Sequence, residues 1–292
     1  MDVEVVGAGF NSAGLSTGVA RAPRILRSAA LIEGLRRQHR VTDSGDVTFS
    51  SPSPVRSPGL LAEESLVSMI SSVDRAVGAA WARRRFPLLL GGDCPVLIGA
   101  LAAGRAAFGD IGLLFVDGHE DAWPPKTSPT GEAADSELGL SLAFTKPTLP
   151  RELAAILLLV RPEATSVLGP RDADELLQFG VPSLRDSVWF RSGEELTGQI
   201  ERDSAQGLDH VVAAAGHFWL HVDLDVLSTD AMSAVDYPQA GLSWGDLSEV
   251  TARALAHPAC AGWSVVIYNP DLDADRSGAH AIVRYIDESI RA

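Results

Sequence analysis

Three short acidic motifs hold most of the chemistry available to this sequence, and each follows an apolar run. FPLLL (86–90) leads into GGDC and ends at Cys94, IGLLFV (111–116) leads into DGHED with Asp117, His119 and Asp121, and FWLHV (218–222) leads into DLD with Asp223 and Asp225. On an extended chain, residues two apart point the same way, so Asp117 with His119, and Asp223 with Asp225, each aim two side chains at one point. Carboxylates gathered without partners repel one another and lose their hydration, and a bound divalent cation is the usual remedy. One histidine among several carboxylates suits Mn²⁺ or a similar hard-to-borderline ion. Taken singly, either acidic pair reads equally well as a polar strand end. Together, in this order, the three motifs specify a metal site.

The elements that must position these motifs follow a regular rhythm. VEVV (3–6) reads as a first strand, followed by a Gly-rich turn and by RAPRILRSAALIEGLRR (21–37), whose apolar residues recur at helical spacing. Helices are predicted over 60–85, 95–108, 172–179, 245–257 and 275–290, and further strands over SVLG (166–169) and VVIYN (265–269). Buried strands alternating with amphipathic helices predict an α/β fold with a mostly parallel sheet covered on both faces. In such a sheet ligands bind outside the carboxyl ends of the strands, where all three motifs fall. The stretch 123–134 is a long loop beside DGHED and reads as a wall facing a substrate.

Composition narrows the choice of partners. The 292 residues are 46% hydrophobic, with a mean hydropathy of +0.11, enough for one substantial core and for one domain over 1–292. Against 38 acidic residues there are 24 basic ones, a net charge of −14, which disfavours nucleic acid or an anionic membrane and favours a small molecule or a cation. FPLLL and AAILLLV are far shorter than the ~20 residues of a membrane helix and read as buried elements. Only Cys94 and Cys260 are present, and the amino terminus lacks a basic segment joined to an apolar one. These features predict a cytoplasmic protein without a disulfide framework.

With the motifs placed, the sequence resembles the arginase, agmatinase and formiminoglutamase family. GGDC is similar to the family's GGDH, DGHED to D-A-H-x-D and DLD to D-x-D, while GVARAPRILR (18–27), GPRD (169–172) and IYNP (267–270) resemble GV-x-x-GP-x-x-LR, GLRD and EVNP. The resemblance spans nearly the whole chain. It implies a three-layer α/β/α sandwich, assembly into homo-trimers or hexamers, and two Mn²⁺ per subunit. Asp117 and Asp223 would bridge the ions, Cys94 and Asp121 would complete the first site, and His119 and Asp225 the second. The implied reaction is hydrolysis of a linear C–N bond by a water that two cations activate.

The departures from the family bear on substrate and metal. Cys94 replaces the family's histidine, and a thiolate favours Zn²⁺ and weakens Mn²⁺ there; a small buried cysteine with no ligand role is the alternative. Ile267 stands where the family's guanidinium-clamping Glu begins EVNP. An ungapped reading puts Ala134 at arginase's proton-shuttling His and Trp123 at a substrate-binding Asn. Efficient hydrolysis of L-arginine is therefore not expected. Asp121, Glu120 and Glu132 are the candidate catalytic carboxylates, with Asp135 near them, although Glu120, Glu132 and Asp135 each read more readily as solvated loop charges. Arg171 and Asp174 match the GLRDVD segment, with Arg171 also readable as a structural ion pair. His221 faces the same side as Asp223 and reads as packing or support. Asp93 reads as support, and Gly91 and Gly92 as allowing close backbone approach. GAGFNSAG (7–14) is a weak match to a dinucleotide-binding loop, because Ser12 occupies its third glycine position. The leading expectation is a metal-dependent hydrolase of a guanidino, amidino or amide-like small molecule. A catalytically silent metal- or metabolite-binding relative is the alternative, and a nucleotide-dependent oxidoreductase a more distant one.

Overall fold

The computed structural model describes residues 1–55, 59–144, 159–235 and 240–291. Its centre is an eight-stranded sheet: β1 (Asp2–Ala8), β2 (Arg40–Asp46), β3 (Phe86–Gly91), β4 (Gly112–Val116), β5 (Thr165–Leu168), β6 (Trp189–Arg191), β7 (Phe218–Asp223) and β8 (Cys260–Val266). The spatial order is β2-β1-β3-β8-β7-β4-β5-β6, and every neighbouring pair is parallel. Strands β3, β4 and β7 are buried throughout, apart from Phe86 at the start of β3, and apolar except for His221 and Asp223 of β7, as covered parallel strands that end in a site must be.

Two helical layers supply the cover. In one, α1 (Ala22–Ser28), α2 (Leu31–Leu35), α8 (Ile200–Ala214), α9 (Trp244–Ala256) and α10 (Ser277–Arg291) form a chain of packed neighbours, with α8 lying on β4 and β5. In the other, α3 (Glu63–Ala82) packs on α4 (Val96–Phe108) and on β1 and β3, and α4 meets the short α5 (Glu137–Ser141). The arrangement is the three-layer α/β/α sandwich expected. The remaining short helices are α6 (Ala173–Phe179) and α7 (Gly193–Leu196). No described helix is long and apolar enough to cross a membrane.

Several boundaries differ from the sequence reading for identifiable reasons. The helix predicted over 21–37 is two helices, because Ala30 adopts φ 69° and breaks the hydrogen-bond ladder between α1 and α2. The two edge strands β2 and β6 carry little apolar signal: β2 reads RVTDSGD and stays partly exposed, and β6 is three residues long. The last strand spans Cys260–Val266 rather than 265–269, ending where Ile267 turns to φ 68°. Of AAILLLV, 154–158 lie outside the described residues, while Leu159 and Val160 are buried.

Candidate metal centre

Strand register, more than chain proximity, assembles the site. Phe115 on β4 pairs with His221 on β7, and His221 pairs with Ser264 on β8. One step beyond each strand's last paired position, β4 delivers Asp117 beside Asp223 of β7. Neighbours in a parallel ladder share a face, so Phe115, His221 and Ser264 form one row and the aspartates the row beyond it. His221 stacks on Phe115 with ring centroids 5.1 Å apart, and its Nδ1 lies 2.7 Å from Ser264 Oγ, which accepts from Trp219 Nε1 at 2.9 Å.

The loops after these strands are bound to one another through the acidic side chains. Asp117 Oδ1 accepts from the His119 N–H at 2.8 Å, Asp223 Oδ1 from the Asp225 N–H at 2.6 Å, and Asp225 Oδ1 from the Gly118 N–H at 3.0 Å. His119 Nδ1 lies 2.8 Å from Asp225 Oδ2 and 3.8 Å from Asp117 Oδ1. Cys94 Sγ lies 2.7 Å from Asp223 Oδ2. Asp93 accepts from the N–H groups of Ser12 (2.8 Å) and Cys94 (3.1 Å), tying GAGFNSAG to GGDC. The Ser12 N–H is thereby committed to a carboxylate, and the loop serves as a brace. A Cβ at Gly92 would sit 2.2 Å from the Phe10 carbonyl oxygen, so only glycine lets the two loops close together.

These groups form the floor of a cavity of about 320 Å³. Cys94, His119, Asp121, Asp223 and Asp225 line it, and Ile267 and Trp123 add apolar surface. The loop at 123–134 forms a wall, contributing Pro129, Thr130, Glu132 and Ala134, with Asp135 beside them. The Trp123 N–H donates to the Asp135 carbonyl (2.9 Å) and the Ser136 hydroxyl to the Trp123 carbonyl (2.7 Å), so the loop closes at its neck. Asp135 accepts from the hydroxyls of Ser128 and Thr130, which makes it a brace within the loop.

Glu120 departs from the catalytic role expected of it. Its side chain points away from the cavity and accepts from Ser183 Oγ at 2.7 Å and from the Leu184 N–H at 2.5 Å. A carboxylate that is 1% exposed needs such donors, and residues 183–184 supply them where the cavity does not. Arg171 serves a structural role beside Asp225: it donates through Nη2 to the Asp225 carbonyl, its charge helps hold the Asp225 carboxyl low, and it packs against Gly118, where a Cβ would meet its Nη1 at 2.3 Å. Asp174 lies exposed on α6.

Two residues join the cluster that were not among the expected ligands. Ligand atoms of Cys94, Asp117, Glu137 and His221 lie within 4.8 Å of one another, and those of Asp117, His119 and Asp225 form a second such group. Asp117 belongs to both. Glu137 stands at the start of α5, twenty residues beyond Asp117, inside the apolar run SELGLSLAF; a fully buried acid there was the available signal. Asp117 Oδ2, His221 Nε2 and both Glu137 oxygens are buried without a hydrogen-bond donor. Glu137 meets the Asp121 carboxylate, a contact that needs a shared proton or a cation.

Electrostatics point the same way. Burial raises Asp117, Asp121, Asp223 and Glu137 well above the ordinary carboxylate range, and their mutual repulsion adds to it. Burial and the Asp223 charge likewise raise the Cys94 thiol. His119 is lowered by burial, yet Asp225 outweighs this and lifts it to about 9, while His119 in return holds Asp225 below its usual value. Burial drives His221 down to about 3, so its ring is neutral. A metal-free floor thus holds several acids at the expense of their ionised forms, and divalent cations would relieve that. The donor set fits a metal centre.

Comparison with known proteins agrees with this geometry. The Arginase family model matches residues 1–290. The arginase of Bacillus caldovelox is 29% identical over 177 residues, 59% of each chain, and its crystal structure superposes with a TM-score of 0.87 at 22% identity, covering 100% of this chain and 98% of that one. This chain thus aligns in sequence with less than two thirds of that relative. An arginase of Staphylococcus aureus is 27% identical over 252 residues, 82% of this chain and 78% of its own. The formimidoylglutamase of Bacillus subtilis superposes with a TM-score of 0.75 at 16% identity, covering 100% and 87%. Motif order, sheet topology and a family match over almost every residue lead to one conclusion: this chain belongs to the arginase family.

Proposed function

We propose that the protein is a metal-dependent hydrolase that cleaves a linear C–N bond in a small amidine-like or amide-like molecule and does not use L-arginine efficiently. The observation that carries this reading is the meeting of Asp117, His119 and Asp225, the last two lining a cavity to which Ile267 adds apolar surface. Asp117, His119, Asp121, Asp223 and Asp225, with Cys94, would hold two divalent cations. When bound, such ions would supply Lewis acidity for activating water and stabilising charge that develops at an sp² carbon. Asp121, held at φ 43° beside Glu137, is placed to move a proton at the floor. Glu132 is the half-buried carboxylate of the wall that can orient a departing or attached amine.

The lining also speaks to the substrate. It contains acidic residues at every depth, including Glu132, Asp172 and Glu175, and no Lys or Arg among the described lining residues. With His119 and the floor committed to the cations, a carboxylate tail would find no Lys or Arg in the described lining, so a neutral or cationic amine-bearing substrate fits best. Cytoplasmic location and a homo-oligomeric assembly belong to the same proposal. The test combines metal analysis of purified protein with a screen of guanidino, amidino, ureido and amide compounds for amine release. Two ions per chain with turnover of an amidine or amide is the expected result. Two ions without turnover of any class would favour a silent metal-binding relative, for which the substitutions at Ala134 and Ile267 speak. Absence of bound metal would refute the proposal.

A further inference from the structure

Cys94, Asp117, Glu137 and His221 converge from four separate parts of the chain: the ends of β3, β4 and β7 and the first residue of α5. All four are buried, with His221 and Glu137 at 0% exposure and their Nε2 and carboxylate oxygens lacking a donor. Ser264 Oγ already accepts from Trp219 and sits 2.7 Å from His221 Nδ1. If Nδ1–H donates to the remaining lone pair of Ser264, Nε2 presents a bare lone pair to the cluster. That is the arrangement by which an outer hydrogen bond fixes the tautomer of a metal-binding imidazole.

We infer that Cys94, Asp117, Glu137 and His221 form a Zn²⁺ site, in which Glu137 and His221 join Cys94 and Asp117 at the first metal position. The inference rests on the metal-dependent reading above and deepens it. A thiolate, an imidazole and two carboxylates form a donor set softer than the one that suits Mn²⁺. The four ligand atoms lie within 4.8 Å of one another, near the roughly 3.2–3.8 Å edges of a tetrahedral Zn²⁺ site. Binding displaces to solvent the thiol proton and any proton that Asp117 and Glu137 hold in the metal-free site, and no electron moves. Asp117 belongs to both ligand groups, so this ion would sit beside the one held by Asp117, His119 and Asp225, as the two-ion reading requires.

The full chain, stripped by chelation, is titrated with Zn²⁺ against a chromophoric chelator and, in parallel, with Co²⁺ as a spectroscopic substitute. Wild type is expected to show a near-ultraviolet sulfur-to-cobalt charge-transfer band that Cys94→Ser lacks. His221→Ala and the near-isosteric Glu137→Gln are each expected to weaken one Zn²⁺ site by more than about tenfold, while a site sensitive to His119→Ala persists. The wild-type cobalt spectrum needs no variant, so misfolding of His221→Ala leaves the test intact. Metal uptake without a sulfur band, or Glu137→Gln binding Zn²⁺ as tightly as wild type, would overturn this site alone. Uptake of no divalent ion would overturn the hydrolase proposal with it.

Discussion

Replacing Ile267 by Glu tests the proposed substrate preference at one position. Ile267 follows β8, donates its N–H to the Gly92 carbonyl at 2.8 Å, is 7% exposed, and lines the cavity at φ 68°. A left-handed conformation costs an L-residue about 1–2 kcal/mol, and a β-branched one is a true outlier there. Removing the branch relieves part of that cost, while losing a buried Ile side chain forfeits about 1.5–3 kcal/mol. These two terms leave a net loss of about 3 kcal/mol or less, and because the new carboxylate also meets the acidic floor, the variant is compared with bound metal to offset that repulsion. The gain is a carboxylate aimed into the cavity. A charge-assisted hydrogen bond is worth about 1.5–3 kcal/mol, or roughly 10- to 150-fold in affinity. Calorimetric titration of the metal-loaded protein with a guanidinium-bearing amine and with an alkylamine of equal length would separate the two contributions. The variant should bind the guanidinium probe at least about tenfold more tightly, with little change for the alkylamine. No gain, or an equal gain for both probes, would refute the view that Ile267 is what denies this cavity a guanidinium clamp.

Other outcomes follow from the same geometry. L-Arginine at saturating Mn²⁺ should release essentially no urea, and a kcat within roughly 1–1000 per second would contradict the reading of Ile267 and Ala134. Glu120→Gln should lower stability by about 1–3 kcal/mol through its bonds to Ser183 and Leu184, yet leave metal content unchanged; a lost ion would return Glu120 to the site. Gly92→Ala should destabilise by about 2–4 kcal/mol, because the added Cβ meets the Phe10 and Val19 carbonyls at 2.2 and 3.0 Å, and thermal melts would register the change. The metal-free protein should lose stability as pH rises. Each raised carboxyl contributes stability below its unfolded value and loses it as pH climbs through its folded value; His119, lifted from 6.5 to about 9, loses on the order of 3 kcal/mol across that interval. Melting temperatures of chelated protein between pH 6 and pH 10 would test this, and a flat or rising profile would contradict the electrostatics of the floor.

What could be read in advance was what repeats locally. An apolar strand followed by a ligand-rich loop is a pattern of adjacent residues, so GGDC, DGHED and DLD stood out and the central strands with them. Glu137 was out of reach because its role depends on the neck of the loop at 123–136 bringing α5 back under the strand ends, and no periodicity encodes that return. His221 was placed on the correct face by its spacing from Asp223, but its row with Phe115 and Ser264 depends on pairing with two strands distant in sequence. Glu120 misled for the converse reason. It sits within the motif, and only the placement of Ser183 and Leu184 shows that its charge is directed elsewhere.

The closed neck of the wall loop has a consequence for how this family could diversify. Because Trp123, Asp135 and Ser136 bind one another, the residues between them are tied at the neck, with one further backbone tether where the Gly131 carbonyl accepts from the Leu61 N–H at 2.7 Å, and Glu137 begins α5 immediately beyond the neck. Insertions, deletions or wholesale replacement of the intervening segment would alter the rim while leaving the anchor of α5 in place. Such a cassette can be exchanged between relatives as a unit, and specificity can drift without re-evolving the floor. Loop chimeras that keep Trp123 and Asp135–Glu137 should therefore fold with their metal content intact, while the range of compounds they accept follows the donor of the loop.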